Sequence, residues 1–172
     1  MSIEREITQW IKFAKGDLPG HPFRGNQYTE AVAGAAETAR IHNAATRREG
    51  MNMHLTTLRA KPAIRNAKHA QMAELHAKAA ESFKNLADKI AAEKGTDSAE
   101  YKDAMTASEA HDSASKAHAS ASSQGSRTAT ATHGEEGGRG GEKVRSSTDA
   151  TYDASMATGD AVFAGENALG GK

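Results

Sequence analysis

Residues 62–123 read PAIRNAKHAQMAELHAKAAESFKNLADKIAAEKGTDSAEYKDAMTASEAHDSASKAHASASS. Met72, Leu75, Ala79, Phe83, Leu86 and Ile90 recur at three- and four-residue steps, the spacing that puts side chains on one face of an α-helix. Pro62 suits the first turn of that helix, where its missing N–H is not needed, and Gly95 ends it. A second periodic run follows after a short link, with Asp97 and Glu100 expected to form a capping box. It carries Tyr101, Met105, Ser108, Ser115 and Ser122 on one stripe, with Ala104, Ala107, Ala114 and Ala121 beside it. Two long helices joined so briefly must be antiparallel neighbours, so the stretch predicts a helical hairpin. The end near Phe83, Ile90, Tyr101 and Met105 should be well packed. The opposite end, made of alanine and serine, should be loose or held by close backbone approach.

The arms share a weak echo in which His69 and His76, and again His111 and His118, stand seven residues apart. The expected register puts His76 level with Lys116 and His118. Imidazoles on facing turns could form a metal or pH-sensitive site. With no cysteine and no positioned carboxylate to complete a ligand set, the preferred reading makes the histidines half-polar boundary residues, with no metal and no cofactor.

Upstream, Thr29 should cap an alanine-rich helix reaching about Arg48 and stopped by Gly50, with Ala31, Ala35, Ala39 and Ile41 or His42 on its weakly apolar face. Residues 1–16 read as an amphipathic docking helix whose apolar face is Ile3, Ile7, Trp10, Ile11 and Ala14. Residues 17–29 form a turn-rich loop, restrained by Pro19, Pro22 and glycines. Residues 30–123 are the alanine-rich helical region that contains the hairpin 62–123. Residues 124–172 are a Gly/Ser/Thr-rich tail, expected to be largely irregular or disordered. The fold class that follows is all-α.

Composition limits function. The chain has 172 residues, with 22 basic and 22 acidic side chains and no cysteine, which removes charge-driven nucleic-acid binders and disulfide-stapled modules from the first rank. Hydrophobic residues make up 37%, but Leu, Ile, Val and Phe number only about 19. So thin a core predicts stabilisation by partners or by self-association into a homo-oligomer. There is no membrane-spanning run, and no motif of a P-loop, a nucleophile elbow, a zinc protease or a dinucleotide site. The chain is therefore read as a non-enzyme.

The loop carries the most specific signal. Trp10 in the preceding helix, and His21, Phe23, Arg24, Asn26, Gln27 and Tyr28 in the loop, are candidate partner-binding residues: an apolar anchor, a guanidinium for a carboxylate or phosphate, and amides for backbone. Arg47, Arg48, Arg59 and Arg65 give the middle of the chain a local basic excess and are the candidate nucleic-acid contacts. The run KGDLPGHPFRGNQY, and GHPFRGNQY within it, resembles a segment that recurs in proteins of tailed bacteriophages beside alanine- and histidine-rich helical regions. That resemblance implies a minor capsid or head-associated virion protein, assembled in the host cytoplasm, with capsid or other virion proteins as partners and His21 to Tyr28 as a contact surface. The alternative is a soluble phage effector that binds nucleic acid or a host protein through its basic stretch.

Overall fold

The computed structural model of the chain describes residues 28–57, 61–131 and 140–170. Among them are four helices: α1 Glu30–Thr57, α2 Pro62–Lys94, α3 Ala99–Ala131 and α4 Gly140–Ala168. Each packs on its neighbours in chain order, and α4 closes on α1. The result is an up-and-down antiparallel four-helix bundle. None of the described helices is long and apolar enough to cross a membrane.

Seven-residue spacing organises the interior. Buried positions recur as Val32, Ala39, Thr46 and Met53 in α1, and as His69, His76, Phe83 and Ile90 in α2. Ala104, His111 and His118 follow the same step in α3, and Ala154, Ala161 and Ala168 in α4. A sustained heptad keeps one seam turned inward as nearly antiparallel helices coil about each other. Alanine at many of these positions lets the helices approach closely.

The α2–α3 hairpin agrees closely with the sequence. Pro62 opens α2, and Gly95 ends it with φ 85, a left-handed conformation that suits glycine. Phe83, Leu86 and Ile90 are fully buried with Val32, Ala104 and Ala107, and Tyr101 and Met105 pack beside them. The alanine-serine end is held by backbone approach: Ser108, Ser115 and Ser122 donate to the carbonyls of Ala80 (2.9 Å), Ala73 (2.8 Å) and Asn66 (3.1 Å). Each hydroxyl bonds at the same antiparallel offset, so the three contacts lock one register.

Several expectations are corrected. The N-cap of α3 is Ser98, whose Oγ accepts from the Tyr101 amide at 3.3 Å, so Asp97 and Glu100 form no capping box. Helix α1 runs through Gly50 instead of stopping there. A Cβ at Gly50 would lie 3.0 Å from the Thr158 methyl, so this glycine serves close helix packing. On the α1 face Val32, Ala35, Ala36 and Ala39 are buried, whereas Ile41 is exposed. The tail expected over 124–172 instead continues α3 to Ala131 and supplies the whole of α4, whose buried alanines have α1 and α3 to pack on. Residues 1–27, with the expected docking helix and most of the recognition loop, lie outside the described residues.

Candidate functional site

Four imidazoles stand at the centre of the bundle. His69, His76, His111 and His118 are each 2% exposed or less, which corrects their reading as half-polar boundary residues. They pair across the hairpin as His69 with His118, Nδ1 to Nδ1 at 3.0 Å, and His76 with His111, Nδ1 to Nδ1 at 2.9 Å. The expected register is corrected too: His76 is level with His111, one helical repeat from His118, against whose ring it stacks at 5.5 Å. Phe83 continues the column, stacked on His111 at 5.5 Å.

The other two helices close the network. From α4, Thr158 Oγ1 lies 3.1 Å from His76 Nε2 and 2.8 Å from His118 Nε2. From α1, Asn43 Oδ1 lies 3.0 Å from His111 Nε2, while Asn43 Nδ2 donates to the Val162 carbonyl at 3.2 Å. Space for that amide exists because residue 165 is glycine; a Cβ there would lie 2.6 Å from Asn43 Oδ1. Six polar side chains from all four helices thus form one continuous chain.

Its direction follows from proton counting. The Val162 carbonyl can only accept, so Asn43 turns its NH2 there and its oxygen toward His111, which must donate from Nε2. A neutral His111 then accepts at Nδ1 from His76 Nδ1–H, and His76 Nε2 accepts from the Thr158 hydroxyl. The Thr158 oxygen accepts from His118 Nε2–H, and His118 Nδ1 accepts from His69 Nδ1–H. Four neutral rings satisfy every ring contact in one sense when the Thr158 proton points at His76, and the Ala154 carbonyl, 3.0 Å from the same hydroxyl, competes for that proton. The atom left over is His69 Nε2, the one buried side-chain polar atom among the described residues without a hydrogen-bond partner.

Burial enforces neutrality. Desolvation pushes His76 and His118 down to about 3 and His111 to about 4, and it lowers His69 as well. The charges acting on the rings add to this: Arg65 on His69, His111 on His76, and His69 and His76 on His118. None of the described carboxylates pairs with any of the four rings, and no described group of three or more His, Asp or Glu side chains is arranged to hold a metal ion.

A cleft of about 580 Å3 opens over Thr158 between α1 and α4, walled by Gly50, Met51, Val162 and Phe163, with Arg47 and Glu166 among its lining residues. A hydroxyl beside an imidazole under a cleft has the outline of a nucleophile and its base. The electrostatics oppose that chemistry. A ring held neutral down to about pH 3 is a weak base, and none of the described carboxylates is placed to stabilise the imidazolium that proton transfer would create.

The sequence-predicted contacts fall elsewhere. Trp10, His21, Phe23, Arg24, Asn26, Gln27 and Arg59 lie outside the described residues. Tyr28 is half-buried at the end of the bundle, where its hydroxyl donates to Glu100 Oε1 at 2.8 Å. Lys94 Nζ lies 4.0 Å over its ring and donates to the same Glu100 oxygen at 2.9 Å. That ammonium, the residue's own amide and the Tyr28 hydroxyl hold the Glu100 carboxyl down at about 2. Next to it, Thr29 bonds to Glu93 through both its amide and its hydroxyl. Arg47 pairs with Glu166 at 2.8 Å and Arg48 with Glu49 at 3.4 Å, while Arg65 is exposed on the first turn of α2.

Asn43 and Thr158 were not singled out in the sequence. The signal that finds Asn43 is its polar side chain at a buried position of the α1 face; Thr158 stands one helical turn after the buried Ala154. Fold and site together define an antiparallel four-helix bundle with a polar, uncharged centre. Comparison with protein-family models, with characterised proteins and with solved structures finds no match to this chain.

Proposed function

We propose that this chain is a non-enzymatic docking component of a phage virion, a minor capsid or head-associated protein whose bundle presents the GHPFRGNQY segment to a larger assembly. The observation that carries the reading is the anchoring of Tyr28, the last residue of that segment, by Glu100 and Lys94 at the α2–α3 turn. Thr29, tied to Glu93, extends the same anchor. These contacts fix the C-terminal end of the loop to a bundle that packs through its own core. A segment so held loses less conformational freedom on binding, which favours its use as a contact surface.

The polar centre supports the same reading, because its imidazoles have the proton affinity of structural groups. The nucleic-acid alternative gains no support from two of the three candidate arginines that can be placed. Arg47 and Arg48 already have carboxylates beside them, with which a phosphate would have to compete.

The test is co-sedimentation of the purified chain with assembled phage heads, for wild type and for Phe23→Ala and Arg24→Glu. Retention of wild type and its loss in both variants, with unchanged helical circular dichroism, is the expected result. Equal retention of all three, or none of wild type, refutes the docking role. Salt-dependent retention of DNA by wild type would move the assignment to the alternative.

A further inference from the structure

The outer face of α4 is apolar where a solvated helix would be polar. Tyr152, Met156 and Phe163 are each at least half exposed, and with Gly159 they step along α4 by four, three and four residues. That is the heptad spacing of a helix seam, here on the side turned away from the buried Ala154, Ala161 and Ala168. The seam borders the cleft of about 580 Å3 over Thr158 and shares Gly159 and Phe163 with it; across the cleft Met51 of α1 is exposed as well. Single exposed apolar side chains are ordinary, but a contiguous patch of them marks a surface that something covers.

One segment of this chain carries the matching pattern. Residues 1–16, which lie outside the described residues, place Ile3, Ile7, Trp10 and Ala14 at the same steps of four, three and four, with Ile11 beside them. Laid parallel to α4 with Ile3 beside Tyr152, the two patterns complement each other in size. Ile7 meets Met156, the indole of Trp10 falls over Gly159, where a Cβ would meet nothing within 4 Å, and the small Ala14 meets Phe163. Ile11 then falls on the flank of Ser155 and Val162, which line the cleft. The reverse direction crowds Trp10 onto Met156 and turns Ile11 toward Asp153 and Asp160.

The connection permits the parallel direction. Asn43 bonds to the Val162 carbonyl, so Phe163 lies level with that part of α1, fifteen residues or about 22 Å along the helix from Tyr28. Residues 17–27 span about 36 Å at most when extended, which is enough to join the end of the segment to Tyr28.

We propose that residues 1–16 form a fifth helix, packed parallel to α4 in the α1–α4 groove with Trp10 over Gly159 and Ile11 in the cleft. It covers the seam at which neighbouring helices of the bundle meet least extensively. It also holds the GHPFRGNQY loop at one end as Tyr28 holds it at the other. Docking of this helix does not depend on what the loop binds.

Trp10 is the chain's one tryptophan, so its fluorescence reports the docking directly. Emission of the full chain should be blue-shifted from that of the urea-unfolded chain, and acrylamide quenching several-fold weaker, at every protein concentration. The double variant Met156→Glu with Phe163→Glu should return both to the unfolded values while the bundle still unfolds cooperatively; Ile64→Glu, exposed on α2, should change neither. Gly159→Ala adds one methyl to a roomy cleft and should leave the emission as in wild type, whereas Gly159→Leu should shift it to the red. The chain has no cysteine, and Ile7→Cys with Met156→Cys should form an intramolecular disulfide on oxidation that Ile7→Cys with Ile64→Cys does not. A Trp10 as accessible in the folded chain as in the unfolded one overturns the inference, as does protection unchanged by the two glutamates. Protection lost on dilution overturns it too, because the groove would then belong to a second copy. Should the glutamates unfold the bundle, the disulfide decides.

Discussion

Two glycines six residues apart in α4 should respond to the same substitution with opposite sign. A Cβ at Gly165 would lie 2.6 to 2.7 Å from the amide atoms of Asn43, closer than any side chain tolerates, whereas at Gly159 nothing lies within 4 Å. In Gly165→Ala the Asn43 amide must move, which breaks its bonds to His111 and to the Val162 carbonyl. Leaving the buried His111 N–H unsatisfied costs about 1 to 3 kcal/mol, and the lost bond to Val162 about 1 kcal/mol more. Better helix propensity of alanine returns about 1 kcal/mol. The net is a destabilisation of about 2 kcal/mol, or roughly 4 to 8 °C in Tm for a chain of this size. Gly159→Ala gains the propensity term alone and should raise stability by about 1 kcal/mol. Urea unfolding followed by circular dichroism at pH 7.5 measures both. A Gly165→Ala protein as stable as Gly159→Ala would refute the placement of Asn43 against the α4 backbone and, with it, the direction assigned to the hydrogen-bond chain.

Three further outcomes follow from the same packing. Phe83→Ala removes the largest fully buried side chain among the described residues, stacked on His111, and should cost about 3 to 5 kcal/mol in the same urea assay. Ser115→Leu puts a long side chain where a hydroxyl meets the Ala73 carbonyl at 2.8 Å, forcing the hairpin apart at a cost of about 1 to 3 kcal/mol; the matching exposed change Ser113→Leu should be nearly neutral. Acid should destabilise the bundle, because the rings titrate lower when folded and the unfolded chain therefore binds more protons. Stability is fully present above the ordinary histidine value of 6.5 and falls as pH drops toward the folded values of about 4 for His111 and about 3 for His76 and His118. At pH 5 each of these three contributes a loss of about 2 kcal/mol, read as a falling urea midpoint between pH 7 and 5. A midpoint unchanged over that range would mean that the rings are not held neutral.

The α2–α3 hairpin was legible because its large residues step at helical spacing and its ends carry unambiguous signals in Pro62 and Gly95. Tyr28, read from the sequence as a partner contact, bonds to Glu100 and Lys94 of its own chain, which no local pattern signals. The histidine column was half legible. The seven-residue echo marks the four residues, but not their burial. A histidine flanked by alanines carries no sign of whether its face meets water or three other helices.

The amino-acid sequence by itself determined the local structure of the hairpin, since propensity, periodicity and terminal residues act within a few positions of one another. Tertiary structure alone decided the rest. Helix α4 is rich in Gly, Ser, Thr and Ala and leaves its large apolar residues Tyr152, Met156 and Phe163 exposed, so its docked position depends on α1 and α3 being there to receive its buried alanines. The pairing of His69 with His118 and His76 with His111 depends on helical register, which the interlocking serines set and no single helix encodes. Whether an imidazole is a solvated base or a neutral link in a hydrogen-bond chain depends on how much water its neighbours exclude, and that is a property of the assembled bundle.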